Sequence, residues 1–381
     1  MSFTFATAGK ILFGPGTSAQ MPELVAAYGK RAFLVLDTHL SESEPPVAGI
    51  APEISICRAS GEPSVTGLRA AVEAARDFAP DVVVGIGGGS TVDTAKAIGT
   101  LLGNSGDILD YLEDVGKGNT LAPVSLPVIA VSTTAGTGAE VTANTPIFSE
   151  EHNVKASLRS PAMLPDVAVV DPELTISSPK AVTASSGLDA LTQNLEPFTS
   201  IKANPLTDIL ATEGLRRAAS GLRAAYVDGS DLAARTDMSM CSLLGGLSLA
   251  NAKLGAVHGL AAPLGGMLHA AHGEVCAAVL AAATEVNVAA MRTREPDNPA
   301  IGRYGEAARI LTGNPEATVD EGVAWIRQTV ETLGVRNLSQ LGLTPDRVNE
   351  AAEAGLAASS MKGNPIVLTL EEVRSIVVSS M

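Results

Sequence analysis

A chain of 381 residues, 46% hydrophobic and with 37 glycines, is long enough for two packed domains and too apolar to be disordered. Its formal charge of −15 argues against nucleic acid or an anionic membrane as partner, and an aromatic content of 3% leaves no stacking platform for single strands. Cys57, Cys241 and Cys276 lack C-x-x-C spacing and read as small buried hydrophobes in a reducing compartment. No signal peptide is recognisable and no run reaches the ~18 apolar residues of a membrane span, so a cytoplasmic protein is expected.

The first half alternates short β-branched runs with amphipathic stretches. Strands are predicted at 32–37 (AFLVLD), 81–86 (DVVVGI), 127–131 (PVIAV) and 167–170 (VAVV). Helical spacing at 66–78 and 91–102 fills the intervals, so a mainly parallel, doubly wound sheet is expected. After Pro172 the texture changes. Ser177-Ser178-Pro179 reads as a helix start, and Ala- and Leu-rich helices are predicted at 206–220, 232–251, 301–311 and 319–333. The division is therefore an α/β domain over 1–176, Rossmann-like, and an all-α domain over 177–381.

Two loops at predicted strand ends carry ligand-binding chemistry. In Gly85-Ile86-Gly87-Gly88-Gly89-Ser90, backbone N–H groups and the following helix N-terminus suit a phosphate, and Ser90 is a candidate cap or phosphate ligand. Neither G-x-G-x-x-G nor the Walker lysine is present, and a Gly-rich turn needing positive φ is the plain alternative. In Ser132-Thr133-Thr134-Ala135-Gly136-Thr137-Gly138, the hydroxyls of Thr133, Thr134 and Thr137 suit ribose and phosphate contacts. Asp37 ends its strand where a carboxylate accepts from a ribose and repels a 2′-phosphate, which favours NAD over NADP; a solvated strand-end Asp is the alternative.

The stretch 254–273 holds three of five histidines, His258, His269 and His272, among small residues. Upstream, Asp189 and Gln193 are four apart and share a helix face. Together Asp189, Gln193, His258 and His272 compose an O,O,N,N donor set for a divalent ion, Fe(II) or Zn(II), with Gln193 the weak member. A polar helix face and satisfied core histidines are the alternative.

These segments resemble the iron-containing (group III) alcohol dehydrogenase family nearly end to end. The likeness runs through LFGPG (12–16), GIGGGSTVDTAKAIG, STTAGTGAEVT, LPDVAVVDPEL, SSGLDALTQNLE, GAVHGLAAPLGG and ASSMKGNP (358–365). It implies a nucleotide-binding α/β domain followed by a helical metal domain, and a homodimer or larger assembly. It also implies that Gly87, Gly88, Gly89 and Ser90 form the pyrophosphate loop and that Asp93 and Lys96 complete its pattern. Thr133, Thr134 and Thr137 fall on the second cofactor loop, Lys155 near the nicotinamide ribose, and Asp37 on a position tied to NAD preference. Asp189, His258 and His272 fall on metal-ligand positions. Two departures stand out: Gln193 replaces the usual second His ligand, and Ala262 replaces a His four residues after the third ligand that helps relay a proton.

The resemblance implies hydride transfer between a nicotinamide and an alcohol or carbonyl, the carbonyl polarised by a divalent metal on Asp189, His258 and His272, with the two domains meeting at a cleft. Three rivals follow from the same residues: a metal-independent reductase resembling maleylacetate reductase, a lyase resembling dehydroquinate synthase, and a non-catalytic dinucleotide sensor suggested by Gln193 and Ala262.

Overall fold

In the computed structural model, which describes residues 2–43, 46–59, 61–113 and 115–381, the chain forms two compact units. One comprises Ala6–Thr134 and Gly138–Thr175; the other comprises Ile176–Met381 with Ala135–Thr137 and the N-terminal residues to Phe5.

The first unit is built on a six-stranded sheet. Its strands are β1 (Lys10–Phe13), β2 (Arg31–Asp37), β3 (Glu53–Ala59), β4 (Val82–Gly87), β5 (Val128–Ser132) and β8 (Val167–Val170), in the order β1-β8-β5-β4-β2-β3 and parallel throughout. The runs AFLVL and VVVGI are buried completely because helices cover both faces of such a sheet. Helices α1 (Met21–Ala26), α2 (Val65–Phe78) and α3 (Gly89–Leu102) belong to this unit. Register pairs Leu36 with Ile86 and Gly87 with Ser132, so β2, β4 and β5 end together and present Asp37, the glycine loop and the threonine loop along one edge.

Four elements of this unit were not legible in the apolar pattern. β1 is only four residues long, α1 is only six, and β3 is a half-exposed edge strand, EISICRA, in which polar residues interrupt the apolar run. The fourth is an antiparallel hairpin of β6 (Asn144–Ser149) and β7 (Val154–Arg159). A correction concerns Ser90. Gly88, in extended conformation, is the N-cap of α3, so the helix starts two residues earlier than predicted and Ser90 lies inside it without capping. Nor do Gly87, Gly88 and Gly89 have positive φ. Glycine is required at Gly85 and Gly87 by close approach instead: an added Cβ would sit 2.7 Å from Ala95 Cβ and 2.6 Å from Thr91 Oγ1, respectively.

The second unit is helical: α4 (Lys180–Thr199), α5 (Pro205–Val227), α6 (Leu232–Asn251), α7 (Ala256–Leu268), α8 (His272–Arg294), α9 (Ala300–Thr312), α10 (Val319–Leu333), α11 (Val348–Ala357) and α12 (Leu370–Ser379). Pro179 is the N-cap of α4. Gly187 and Gly245 let α4 lie close to its neighbours; a Cβ at Gly187 would be 2.3 Å from Leu222 Cδ1. By mean hydropathy α8 is long and apolar enough to cross a membrane, although Glu274, Glu285 and Asn287 interrupt its apolar run, and 67% of that window is buried. Its apolarity is that of a core helix.

Candidate active site

In the α/β unit, Asp37 closes β2 and its Oδ1 accepts from the backbone N–H (2.9 Å) and Nδ1 (2.8 Å) of His39. It flanks the glycine loop, since a Cβ on Gly87 would lie 2.9 Å from Asp37 Cβ. Thr133 N donates to Gly87 O at 2.9 Å, which ties the threonine loop to the end of β4. A Cβ on Gly88 would project to 3.5 Å from Thr134 Oγ1, filling the space that the two loops leave open. The N-terminus of α3 has no side-chain cap; Thr91 N and Val92 N donate to Gly88 O, and the N–H groups of Gly89 and Ser90 precede them at the helix start, where an anion is favoured.

Asp93 and Lys96 face inward. Lys96 is fully buried; its Nζ pairs with Asp93 Oδ1 at 2.7 Å and donates to Ala139 O (2.9 Å), Thr142 Oγ1 (2.9 Å), Thr142 O (3.3 Å) and Asn144 O (2.8 Å). One ammonium thus holds the chain between β5 and β6. Lys155, on β7, forms an ion pair with Glu62. Thr137 lies in the 135–137 segment of the helical unit, where Gly136 approaches Ser186 so closely that a Cβ would be 2.8 Å from its Cβ.

In the helical unit, α4 presents Asp189 and Gln193 on one buried face, α7 carries His258 in its first turn, and α8 opens with His272. Ligand atoms of Asp189, His258, His272 and Cys276 all lie within 4.8 Å of one another. His258 Nε2 stands 3.4 Å and His272 Nε2 3.9 Å from Asp189 Oδ1, and Cys276 Sγ stands 3.5 Å from His272 Nε2. Gln193 Nε2 donates to Asp189 Oδ2 at 3.0 Å. Asp189 Oδ1, Gln193 Oε1 and His258 Nε2 are buried without a well-formed hydrogen bond among the described residues. Buried polar atoms are normally satisfied, and three unsatisfied atoms on adjoining side chains mark a place for a ligand. A divalent cation fits: the donors are oxygen, nitrogen and sulfur, and the convergence is tight.

Two residues here escaped the sequence reading. Cys276 sits one turn after His272 and points into the same cluster. Glu196 lies seven residues after Asp189, on the same face of α4. Its Oε2 accepts from His258 Nδ1 at 2.7 Å, while Oε1 accepts from Val257 N at 2.7 Å at the start of α7. A Cβ at Gly255 would lie 3.0 Å from Glu196 Oε1 and 2.9 Å from Asn364 Oδ1, so any larger residue would push on both side chains. Asn364 of the KGNP segment completes the cap by accepting from Ala256 N at 3.0 Å. The signals were the i, i+4 spacing of His272 and Cys276 and the i, i+7 spacing of Asp189 and Glu196.

The charges are strongly coupled. Burial alone would raise the Asp189 carboxyl, but the imidazoles of His272 and His258 hold it below the usual range. Burial would lower His258, yet Asp189 and Glu196 push it up to about 10. Burial, followed by the Asp189 and Glu196 carboxylates, raises the Cys276 thiol well above its ordinary value. His269 is the exposed C-cap of α7 in left-handed conformation (φ 49°), and Ala262 is exposed on α7.

Comparison with known proteins accounts for both units. Residues 8–172 match the model described as "Iron-containing alcohol dehydrogenase", and residues 183–381 match "Fe-containing alcohol dehydrogenase family, C-terminal". Alcohol dehydrogenase 4 of Saccharomyces cerevisiae (strain YJM789) is 36% identical over 316 residues, 83% of this chain and 80% of that protein. The crystal structure of a 1,3-propanediol oxidoreductase superposes with a TM-score of 0.91 at 30% identity, covering 100% of both chains. Sulfoacetaldehyde reductase from Bifidobacterium kashiwanohense, solved in complex with NAD+, gives 0.87 at 28% identity over 100% of this chain and 98% of that one. With both family regions matched in order along one chain, the protein belongs to the iron-containing alcohol dehydrogenase family and is an oxidoreductase acting on CH–OH groups.

Proposed function

We propose that this chain is an NAD-dependent alcohol dehydrogenase that interconverts a small alcohol with its aldehyde or ketone, and that Asp189, His258 and His272 hold a divalent metal with Gln193 as a weak further donor. The carrying observation is the set of three buried, unsatisfied atoms on Asp189, Gln193 and His258. A divalent cation bound there supplies Lewis acidity toward a carbonyl oxygen, and the nicotinamide supplies or accepts the hydride.

The chain's own residues set the conditions. The Glu196 carboxylate accepts the hydrogen bond from His258 Nδ1, which orients the ring so that Nε2, beside Asp189, becomes a lone-pair donor once a cation displaces its proton. Burial of Asp189 (1% exposed) and His258 (5% exposed) keeps bulk water from competing for these donors. In the other unit, Gly87, Gly88, Gly89 and Ser90 offer the pyrophosphate the backbone of an uncapped helix start. Thr133, Thr134 and Thr137 offer hydroxyls, and Asp37 a ribose acceptor that disfavours NADP. Asp93 acts through Lys96, and Lys155 reaches the ribose in exchange for Glu62. Alanine at 262 cannot transfer a proton, so water or a substrate hydroxyl takes that part.

Fe(II) and Zn(II) both suit these donors, homo-oligomerisation rests on the family resemblance, and three free cysteines support a cytoplasmic location. The test is NADH-linked turnover of a panel of small aldehydes before and after exhaustive chelation, then after adding back Fe(II) or Zn(II). Chelation should abolish turnover and one of the ions should restore it. Full turnover in metal-free protein would remove the metal from the reading and leave the maleylacetate reductase-like alternative.

A further inference from the structure

We propose that Cys276 Sγ is a direct ligand of this metal site, replacing the imidazole that Gln193 does not supply, and that the resulting set of one carboxylate, two imidazoles and one thiolate selects Zn(II) over Fe(II). The inference rests on the metal-site reading above and adds the identity of the fourth donor and of the ion.

The geometry is close to that of a coordination sphere. Bonds of about 2.0–2.3 Å to nitrogen, oxygen and sulfur place neighbouring ligand atoms of a tetrahedron roughly 3.3–3.6 Å apart. Cys276 Sγ to His272 Nε2 is 3.5 Å and His258 Nε2 to Asp189 Oδ1 is 3.4 Å, with His272 Nε2 to Asp189 Oδ1 slightly wider at 3.9 Å. Cys276 is fully buried and follows His272 by one helical turn, so one stretch of α8 delivers both atoms. The cysteine is not alone. His258 Nε2 and Asp189 Oδ1 are buried in the same cluster without a well-formed hydrogen bond.

The chemistry decides the ion. An amide oxygen carries no formal charge and binds divalent ions weakly, whereas a thiolate is soft and anionic. Zinc exceeds iron in intrinsic affinity for such N/O/S sets and accepts tetrahedral geometry without penalty. Coordination forms one metal–sulfur bond and breaks the S–H bond, and the thiol proton passes to buffer; sulfur is neither oxidised nor reduced.

Cobalt(II) substitution reads the bond directly. Cobalt-loaded wild-type protein should show visible ligand-field bands together with a near-ultraviolet thiolate-to-cobalt charge-transfer band. The charge-transfer band should vanish in Cys276→Ser and persist in Cys57→Ser and Cys241→Ser. Loss of an outer-shell partner alone weakens metal sites by about 10–100-fold, so Zn(II) affinity in Cys276→Ser, measured against a chromophoric chelator, should fall by roughly 100-fold. Wild-type protein dialysed against equal Fe(II) and Zn(II) under anaerobic conditions should retain zinc in excess by elemental analysis. Ligand-field bands without the charge-transfer band overturn the thiolate ligand while leaving the metal site standing. Retention of iron over zinc overturns the selectivity, and failure of wild-type protein to take up cobalt or zinc overturns both readings. Should Cys276→Ser not fold, the wild-type spectrum with the other two variants decides.

Discussion

Lys96→Met removes the ammonium that braces the α/β unit. Its side chain is fully buried and holds Asp93 together with four acceptors on the 139–144 segment. Methionine matches the volume, so the loss is one of charge and hydrogen bonding. Breaking a buried ion pair by removing one partner costs about 3–5 kcal/mol, because the other charge is left uncompensated. Protonation of Asp93 caps that cost. Taking an acid of ordinary value 3.8 to its neutral form at pH 7 requires about 4 kcal/mol, at 1.36 kcal/mol per unit. Burial already raises Asp93, and Lys96 opposes that rise. Without Lys96 the folded value climbs further, and a carboxyl whose folded value is raised loses stability as pH rises. The deficit should therefore be about 3–4 kcal/mol at pH 7 and narrow by roughly 2 kcal/mol at pH 5. The only tryptophan, Trp325, lies in α10 of the helical unit, so its fluorescence reports the wrong unit. Amide hydrogen exchange of β4 and β5 is the appropriate readout. Asp93→Asn with Lys96→Met should recover most of the loss. A single-variant deficit under about 1 kcal/mol, or a double variant no better than the single, would refute the brace.

Two further outcomes follow from buried carboxylates. Glu196→Gln puts an amide NH2 where one of two donors, His258 Nδ1 or Val257 N, now finds an acceptor, so Zn(II) affinity should drop about 10–100-fold in a chelator competition; unchanged affinity would show that His258 needs no orienting partner. Glu140 is buried with Oε2 unpaired, and burial pushes its carboxyl up to about 7. Since its folded value exceeds the unfolded one, its contribution is full below about 4.5 and is lost as pH rises through 7, an effect on the order of 3 kcal/mol. Denaturation of Glu140→Gln between pH 5 and pH 8 should show a flatter pH dependence than wild type, and parallel curves would contradict the assignment.

Much of the architecture could be read from the chain because its signals are local. Fully buried parallel strands are continuous apolar runs, which is why 32–37, 81–86, 127–131 and 167–170 stood out, while half-buried β3 did not. The glycine loop was visible by composition but not its reason. A turn needing positive φ is the plain alternative in the sequence, whereas contact with Thr91 and Asp37 is the actual constraint at Gly87, which only folded neighbours reveal. Asp189 and Gln193 share a face through elementary helix spacing. Cys276 was passed over because a solitary cysteine in an apolar helix carries no signal until His272 is seen one turn away. Lys96 looked like part of a loop pattern, yet its acceptors lie 43 to 48 residues downstream. No spacing rule reaches that far.

The helix α8 carries His272 and Cys276 on a stretch that is itself core of the helical unit. Its packing rests on apolar side chains such as Val275, Val279 and Leu280, unlike that of small zinc modules whose fold depends on the ion. On the proposed metal reading, chelation should therefore abolish turnover while leaving the amide-exchange protection of α8 unchanged.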